Sequence, residues 1–209
     1  MLSKIVFAAC MAFVVSADKK EKGRGDKEDK DDKDEEETRY AICRLQDQDD
    51  LVDPPSNDGY DVSGLIAFKE EKKGDLEITA VVEGLKSNFF HGFHIHAFGD
   101  ISGGCGSTTG HFNPKEVDHG EWSNSKKERH HGDLRGLLTD ENGRADYEYT
   151  DALASLYGKD SIVGRSLVIH DGNDNFGLPG DDTSLANGRA GARMACCVIG
   201  LAPEEYIFN

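Results

Sequence analysis

Eight segments along the chain alternate apolar and polar side chains with a period of two. They are YAICRL from Tyr40, VSGLIAFKE from Val62, LEITAVVEG from Leu76, FHGFHIHAF from Phe90, GLLTD from Gly136, ADYEYTD from Ala145, IVGRSLVIHD from Ile162 and ARMACCVIGL from Ala192. That period belongs to strands with one face on a core, and Gly, Asp and Asn punctuate the gaps between them. No long stretch carries a helical period. The pattern predicts an all-β fold: an eight-stranded Greek-key β-sandwich or flattened barrel. Two connections are long for such a fold, roughly 98–133 and 171–194. Loops of that length in a compact β domain are usually functional.

The pattern breaks down before Tyr40. Residues 1–17, MLSKIVFAACMAFVVSA, place Lys4 before an apolar run and end on small residues, as a secretory signal peptide does. The run is shorter than the roughly 20 residues a membrane span needs. Residues 18–38 hold seven basic and eleven acidic side chains and nothing apolar to bury. They are expected to be a disordered charged spacer, with weak binding of divalent cations or basic surfaces as its sharper use. The folded domain would then span 39–209, in a secreted, extracellular protein without a membrane span.

Charge narrows the partners. The formal net charge is −16, and loss of Lys4 with the signal peptide makes the mature chain more acidic still. Bulk electrostatics exclude nucleic acid and anionic lipid. A small anionic substrate would need local positive charge to draw it in. Five cysteines become four without Cys10: Cys43, Cys105, Cys196 and Cys197. An even number in an oxidising compartment suggests two disulfides, with three possible pairings. Neighbours on a strand point to opposite faces, so Cys196 and Cys197 should seek different partners.

Candidate chemistry lies in the histidines. In FHIHAFGD, His94 and His96 share one strand face and Phe93 and Ile95 the other. The two imidazoles stand ~6.5 Å apart at their bases and can converge on one ion. Alone, such a pair is equally a pair of surface polar positions. His111, His119, His130 and Asp133 together make a tetrahedral N₃O set suited to zinc. His170 ends a strand whose other face carries Leu167 and Ile169, and imidazole serves copper and zinc alike.

The segments GFHIHAFGD, GCGSTTGHFNP, ERHHGDL, IVGRSLVIHD and GRAGARMACCVIG resemble the copper/zinc superoxide dismutase family, in order, from about Tyr40 to Ala202. The resemblance implies copper on His94, His96, His111 and His170, and zinc on His111, His119, His130 and Asp133, with His111 as the bridge. The HxxD spacing selects His130 over His131. Asp174 would link His94 and His119 through their non-ligating nitrogens. His91 would be structural. Arg193 would attract and orient superoxide, and Cys105 would pair with Cys196. The implied reaction is disproportionation of superoxide by Cu(II)/Cu(I) cycling, with a proton carried by His111. A homodimer is the family default.

Four features depart from the family pattern. Ala186 stands where the family has a lysine, with Arg189 nearby, so substrate steering should be weaker or rerouted. GEWSNSKKER, between His119 and His130, is about two residues longer than usual and holds the only tryptophan, Trp122; it reads as a tolerated surface insertion. Cys197 replaces a glycine and Cys43 lies in the first strand, which suggests a second disulfide between them. The tail APEEYIFN brings Tyr206, Ile207 and Phe208 to the end of the chain, to pack on the barrel or on a partner subunit. An extracellular superoxide dismutase is the leading reading. The alternative is a secreted acidic metal-transport protein of plasma or haemolymph type with little catalysis. A copper chaperone is disfavoured by the full ligand set and the absence of a CxxC motif.

Overall fold

A computed structural model describes residues 38–45 and 61–207. The signal-peptide segment and nearly all of the charged spacer lie outside the described residues. Its last residue, Thr38, does not belong to a spacer: it opens the first strand and pairs with Glu71.

Among the described residues eleven strands follow in chain order: β1 (Thr38–Leu45), β2 (Ser63–Glu71), β3 (Leu76–Glu83), β4 (Phe90–His91), β5 (Phe93–His96), β6 (Ser102–Cys105), β7 (Leu137–Leu138), β8 (Ala145–Asp151), β9 (Ser166–His170), β10 (Arg193–Val198) and β11 (Gly200–Leu201). One short helix, α1 (Asp182–Asn187), lies in the second long loop. No helix among the described residues is long and apolar enough to cross a membrane.

All eight expected segments form strands, and two of them divide. FHGFHIHAF breaks at Gly92 because that residue's backbone leaves the ladder: its N–H donates to Gly172 O at 3.0 Å and its carbonyl accepts from His170 N at 2.9 Å. A Cβ there would come 2.7 Å from that of Ala190, so only glycine fits. ARMACCVIGL breaks at Ile199, where β10, paired with β9, gives way to β11, paired with β1. The last strand thus changes sheets and joins the two layers. β6 has no alternating pattern and was not legible.

The larger sheet has the order β11-β1-β2-β3-β8 and the smaller β10-β9-β5, with β4-β7 as a separate pair. β11 returns from the far end of the chain to lie antiparallel beside β1, giving the order β11-β1-β2-β3 of a Greek key, and β8 closes the other edge antiparallel to β3. In β3, Leu76, Ile78, Ala80 and Val82 are buried and Glu77 and Glu83 exposed. Ile66, Phe68, Ile78, Phe93, Ile95, Leu167 and Ile169 are fully buried in one continuous core. β5 and β9 differ from the outer strands: every residue of both is buried. Their second face carries His94, His96 and His170, and the long loops cover it.

Both disulfides form. Cys43 bonds Cys197, tying β1 to β10, and Cys105 bonds Cys196, tying β6 to β10. The adjacent cysteines do take different partners, as their opposite faces require. In the tail, Ile207 is buried and Tyr206 exposed, while Phe208 lies outside the described residues.

Candidate metal centre

β5 delivers His94 and His96, and β9 delivers His170. The first long loop runs back beside β5 as an irregular strand: Phe112 N donates to Ile95 O at 2.8 Å, Ile95 N to Gly132 O at 2.9 Å. This places His96 opposite His111 and His94 opposite Asp133. Gly132 permits the approach, since a Cβ would lie 2.1 Å from Ile95 O.

Two clusters result. His94, His96, His111 and His170 form one; His111, His119, His130 and Asp133 form the other; all seven residues are buried, and within each cluster the potential ligand atoms lie within 4.8 Å of one another. His111 belongs to both.

Five of the six histidines are oriented by a bond from the outer nitrogen; His111, shared by the clusters, turns one nitrogen to each. His94 Nε2 donates to Asp174 Oδ2 at 2.7 Å, His96 Nδ1 to Thr109 O at 2.6 Å, and His170 Nδ1 to Gly191 O at 3.2 Å. His119 Nε2 donates to Asp174 Oδ1 at 2.8 Å and His130 Nε2 to Val117 O at 3.0 Å. A donor on one ring nitrogen leaves a lone pair on the other. Those inner nitrogens face one another. His96 Nε2 and His170 Nε2 are 3.4 Å apart, and His111 Nδ1 and His130 Nδ1 3.3 Å. His94 Nδ1 and His111 Nε2 are buried without a hydrogen-bond partner. Buried, unpaired lone pairs aimed at each other are costly unless a cation sits among them. The donor sets fit metals: four imidazoles for copper, and three imidazoles with a carboxylate for zinc.

Electrostatics support this. Burial, reinforced by neighbouring imidazoles, pushes His111 down to about 3 and His170 down to about 4, and holds His96 far below its usual range. These rings are neutral at ordinary pH, as ligands must be. His119 is the exception: burial lowers it, but bonds to Asp133 and Asp174 outweigh that and raise it to about 9. Without a metal it keeps a proton between two carboxylates, which an ion would displace. Burial raises the Asp133 carboxyl, yet hydrogen bonds with His111, His119 and His130 hold it well below the usual carboxylate range.

Asp174 accepts from a histidine of each cluster, His94 and His119. Gly188 lets it do so: a Cβ there would lie 2.0 Å from Asp174 Oδ1 and 2.6 Å from His119 Nε2. His91 lies outside both clusters and donates from Nδ1 to His170 O at 2.7 Å. His131 is also outside, edge-on to Phe112 with ring centroids 6.0 Å apart.

Arg193 lies opposite His170 on neighbouring strands. Its guanidinium donates to Cys105 O at 2.6 Å, Gly106 O at 2.9 Å and Thr109 O at 2.6 Å. Thr109 O also accepts from His96, and the Cys105–Cys196 bond holds the same loop to β10. Arg189 is ion-paired with Asp181, Nη2 to Oδ2 at 2.7 Å, so its charge is largely cancelled at long range.

Two features were not found in the sequence. Arg129, buried beside His130, donates to Asp133 O at 2.7 Å and to both Asp151 oxygens at 3.1 and 2.9 Å. No motif marks that pair, whose partners are 22 residues apart. α1 was also missed, although Asp181 caps its start by accepting from Ser184 N and Gly188 ends it in the left-handed region. An acidic N-cap and an Asn-Gly stop were there to be read.

The family model for copper/zinc superoxide dismutase (SODC) matches residues 62–199. The chain is 46% identical over 143 residues to the copper–zinc superoxide dismutase A of Xenopus laevis, covering 68% of this chain and 92% of that protein. It is 43% identical over 145 residues to the copper–zinc superoxide dismutase of Paramecium bursaria Chlorella virus 1, covering 69% of this chain and 76% of that protein.

Proposed function

The chain belongs to the copper/zinc superoxide dismutase family, whose members are superoxide dismutases using both metals, and from that premise we propose a secreted, homodimeric enzyme with copper on His94, His96, His111 and His170 and zinc on His111, His119, His130 and Asp133. One observation carries the site assignment. The outer nitrogen of each of five histidines is committed to an acceptor, and the inner nitrogens converge in two sets that share His111.

Bound there, copper would exchange one electron with each of two superoxides, and zinc, which has no redox chemistry, would hold charge and geometry. The chain's own residues do the rest. Asp174 locks His94 and His119 in one tautomer. His111 can hold a proton at Nε2, the atom facing the first cluster, and so supply one to the reduced oxygen. Arg193, fixed by three carbonyls, keeps a positive charge beside His170 to attract and orient the anion.

Metal content measured with superoxide consumption by the purified protein tests this reading. Near-stoichiometric copper with no activity above free copper would overturn it in favour of metal transport. Arg193→Ala is expected to slow capture about 10-fold and flatten its salt dependence, since local charge acts mainly on encounter. Both metals should stay bound. Loss of copper in that variant would show the assigned role to be wrong.

Secretion is supported by the leader-like residues 1–17 and by two disulfides, which persist in oxidising compartments. The homodimer is supported by exposed apolar side chains around Gly99. Phe98 is 58% exposed, and Val198, which a Cβ on Gly99 would approach to 3.2 Å, is 37% exposed. Phe98→Glu should weaken the dimer about 100-fold, as loss of an aromatic anchor does. Sedimentation equilibrium reads this directly, and an unchanged dimer would exclude this face.

A further inference from the structure

Residues 120–129 join His119 to His130. Both ends of this loop converge on one oxygen of Asp133: Gly120 N and His130 N donate to Oδ2 at 3.1 and 2.8 Å. Between them, every side chain from Glu121 to Glu128 is exposed except Trp122. The indole meets Tyr149 of β8 edge-on, with ring centroids 5.8 Å apart. On Trp122 and on Tyr147, also of β8, lies one guanidinium: Arg135 stands 5.6 Å from the first ring centre and 5.1 Å from the second. Tyr147 is itself fixed, accepting from Leu138 N at 2.8 Å and donating to Leu138 O at 3.2 Å.

The stack therefore connects three parts: the early part of the His119–His130 loop, the segment two residues beyond Asp133, and the core-facing side of β8, where Tyr147 and Tyr149 pack against the core. A polar ten-residue loop anchored only at its ends would sample many conformations. Anchored at Trp122 as well, and at Asn124 O by Arg129 Nε at 3.1 Å, it keeps His119 and His130 near the separation that one ion requires. Such preorganisation lowers the cost of binding without adding a ligand.

We propose that Trp122 is a positioning residue for zinc: with Arg135 and Tyr147 it clamps the ligand loop to β8 and slows zinc release. The inserted stretch is thereby a part of the metal site. This rests on the zinc assignment of His119, His130 and Asp133.

The test uses the full-length metal-loaded protein and zinc transfer to a chromogenic chelator. Trp122→Ala is expected to release zinc about 10-fold faster, the lower end of what supporting residues contribute to metal affinity. Copper should be retained and Trp122→Phe should restore most of the rate. A zinc release rate equal to wild type, or parallel loss of both metals, overturns the clamp. His119→Ala separates the two levels. If it retains zinc as tightly as wild type, the site assignment itself fails. If it loses zinc while Trp122→Ala does not, only the clamp fails. Should Trp122→Ala not fold, Arg135→Gln carries the test with the same criteria. An independent readout comes from the protein's single tryptophan: chelating zinc from wild type should change Trp122 emission, and unchanged emission counts against the clamp.

Discussion

Replacing His111 with alanine will remove zinc, weaken copper and lower dismutation at least about 100-fold. The ring is the only one in both clusters. On one side its Nδ1 lies 2.9 Å from Asp133 Oδ1. On the other its buried Nε2 faces the first cluster, with the His94 ring centroid 4.1 Å away. Alanine takes one of four potential donors from each cluster at once. Loss of a mere supporting residue costs 10–100-fold in metal affinity or activity, so loss of a shared ligand should cost at least the upper figure. It also removes the atom proposed to carry the proton. Elemental analysis and pulse radiolysis of the purified variant measure both effects. His131→Ala is the matched control: that ring packs on Phe112 outside both clusters, and both metals should remain. Stoichiometric metals with activity within 3-fold of wild type in His111→Ala would sink the shared-ligand assignment.

Removing the Cys43–Cys197 bond by serine at both positions is expected to destabilise the protein by roughly 2–5 kcal/mol, the range for a native disulfide. The bond closes a separation of 154 residues, so it restricts the unfolded chain strongly. Both cysteines are buried, and serine would leave hydroxyls in an apolar core. The guanidinium unfolding midpoint should fall by roughly 0.5–1 M. Activity of the folded variant should stay near wild type, because neither residue touches the metal clusters. Serine at Cys105 and Cys196 should behave differently. That bond holds the loop whose Cys105 and Thr109 carbonyls position Arg193 and His96, so activity should fall along with stability. An unchanged midpoint on loss of Cys43–Cys197 would refute the stabilising role.

These two cases show how far sequence reasoning reaches. The alternating faces of a strand put His94 and His96 together, set His170 against Leu167 and Ile169, and send Cys196 and Cys197 to different partners. Spacing chose His130 over His131. The resemblance supplied the ligand sets, and the clusters bring together those same residues. Reading Trp122 as an incidental insertion missed its contacts with Arg135 and Tyr149, because no local pattern says what an inserted aromatic will meet. Arg129 and Asp151 were invisible for the same reason: a loop residue and the end of β8 meet across 22 residues with no shared pattern.

The sequence by itself determined which residue types are available and which way each strand side chain faces, because both follow from chemistry and from a period of two. Only the tertiary structure decided which nitrogen of each histidine looks inward. That choice is made by carbonyls and a carboxylate on loops without periodicity: Thr109, Val117, Gly191 and Asp174. It likewise decided that Arg193 is held by three carbonyls while Arg189 is neutralised by Asp181. Two arginines four residues apart look equivalent in one dimension. Their electrostatic effect depends on distance to partners that only the fold supplies.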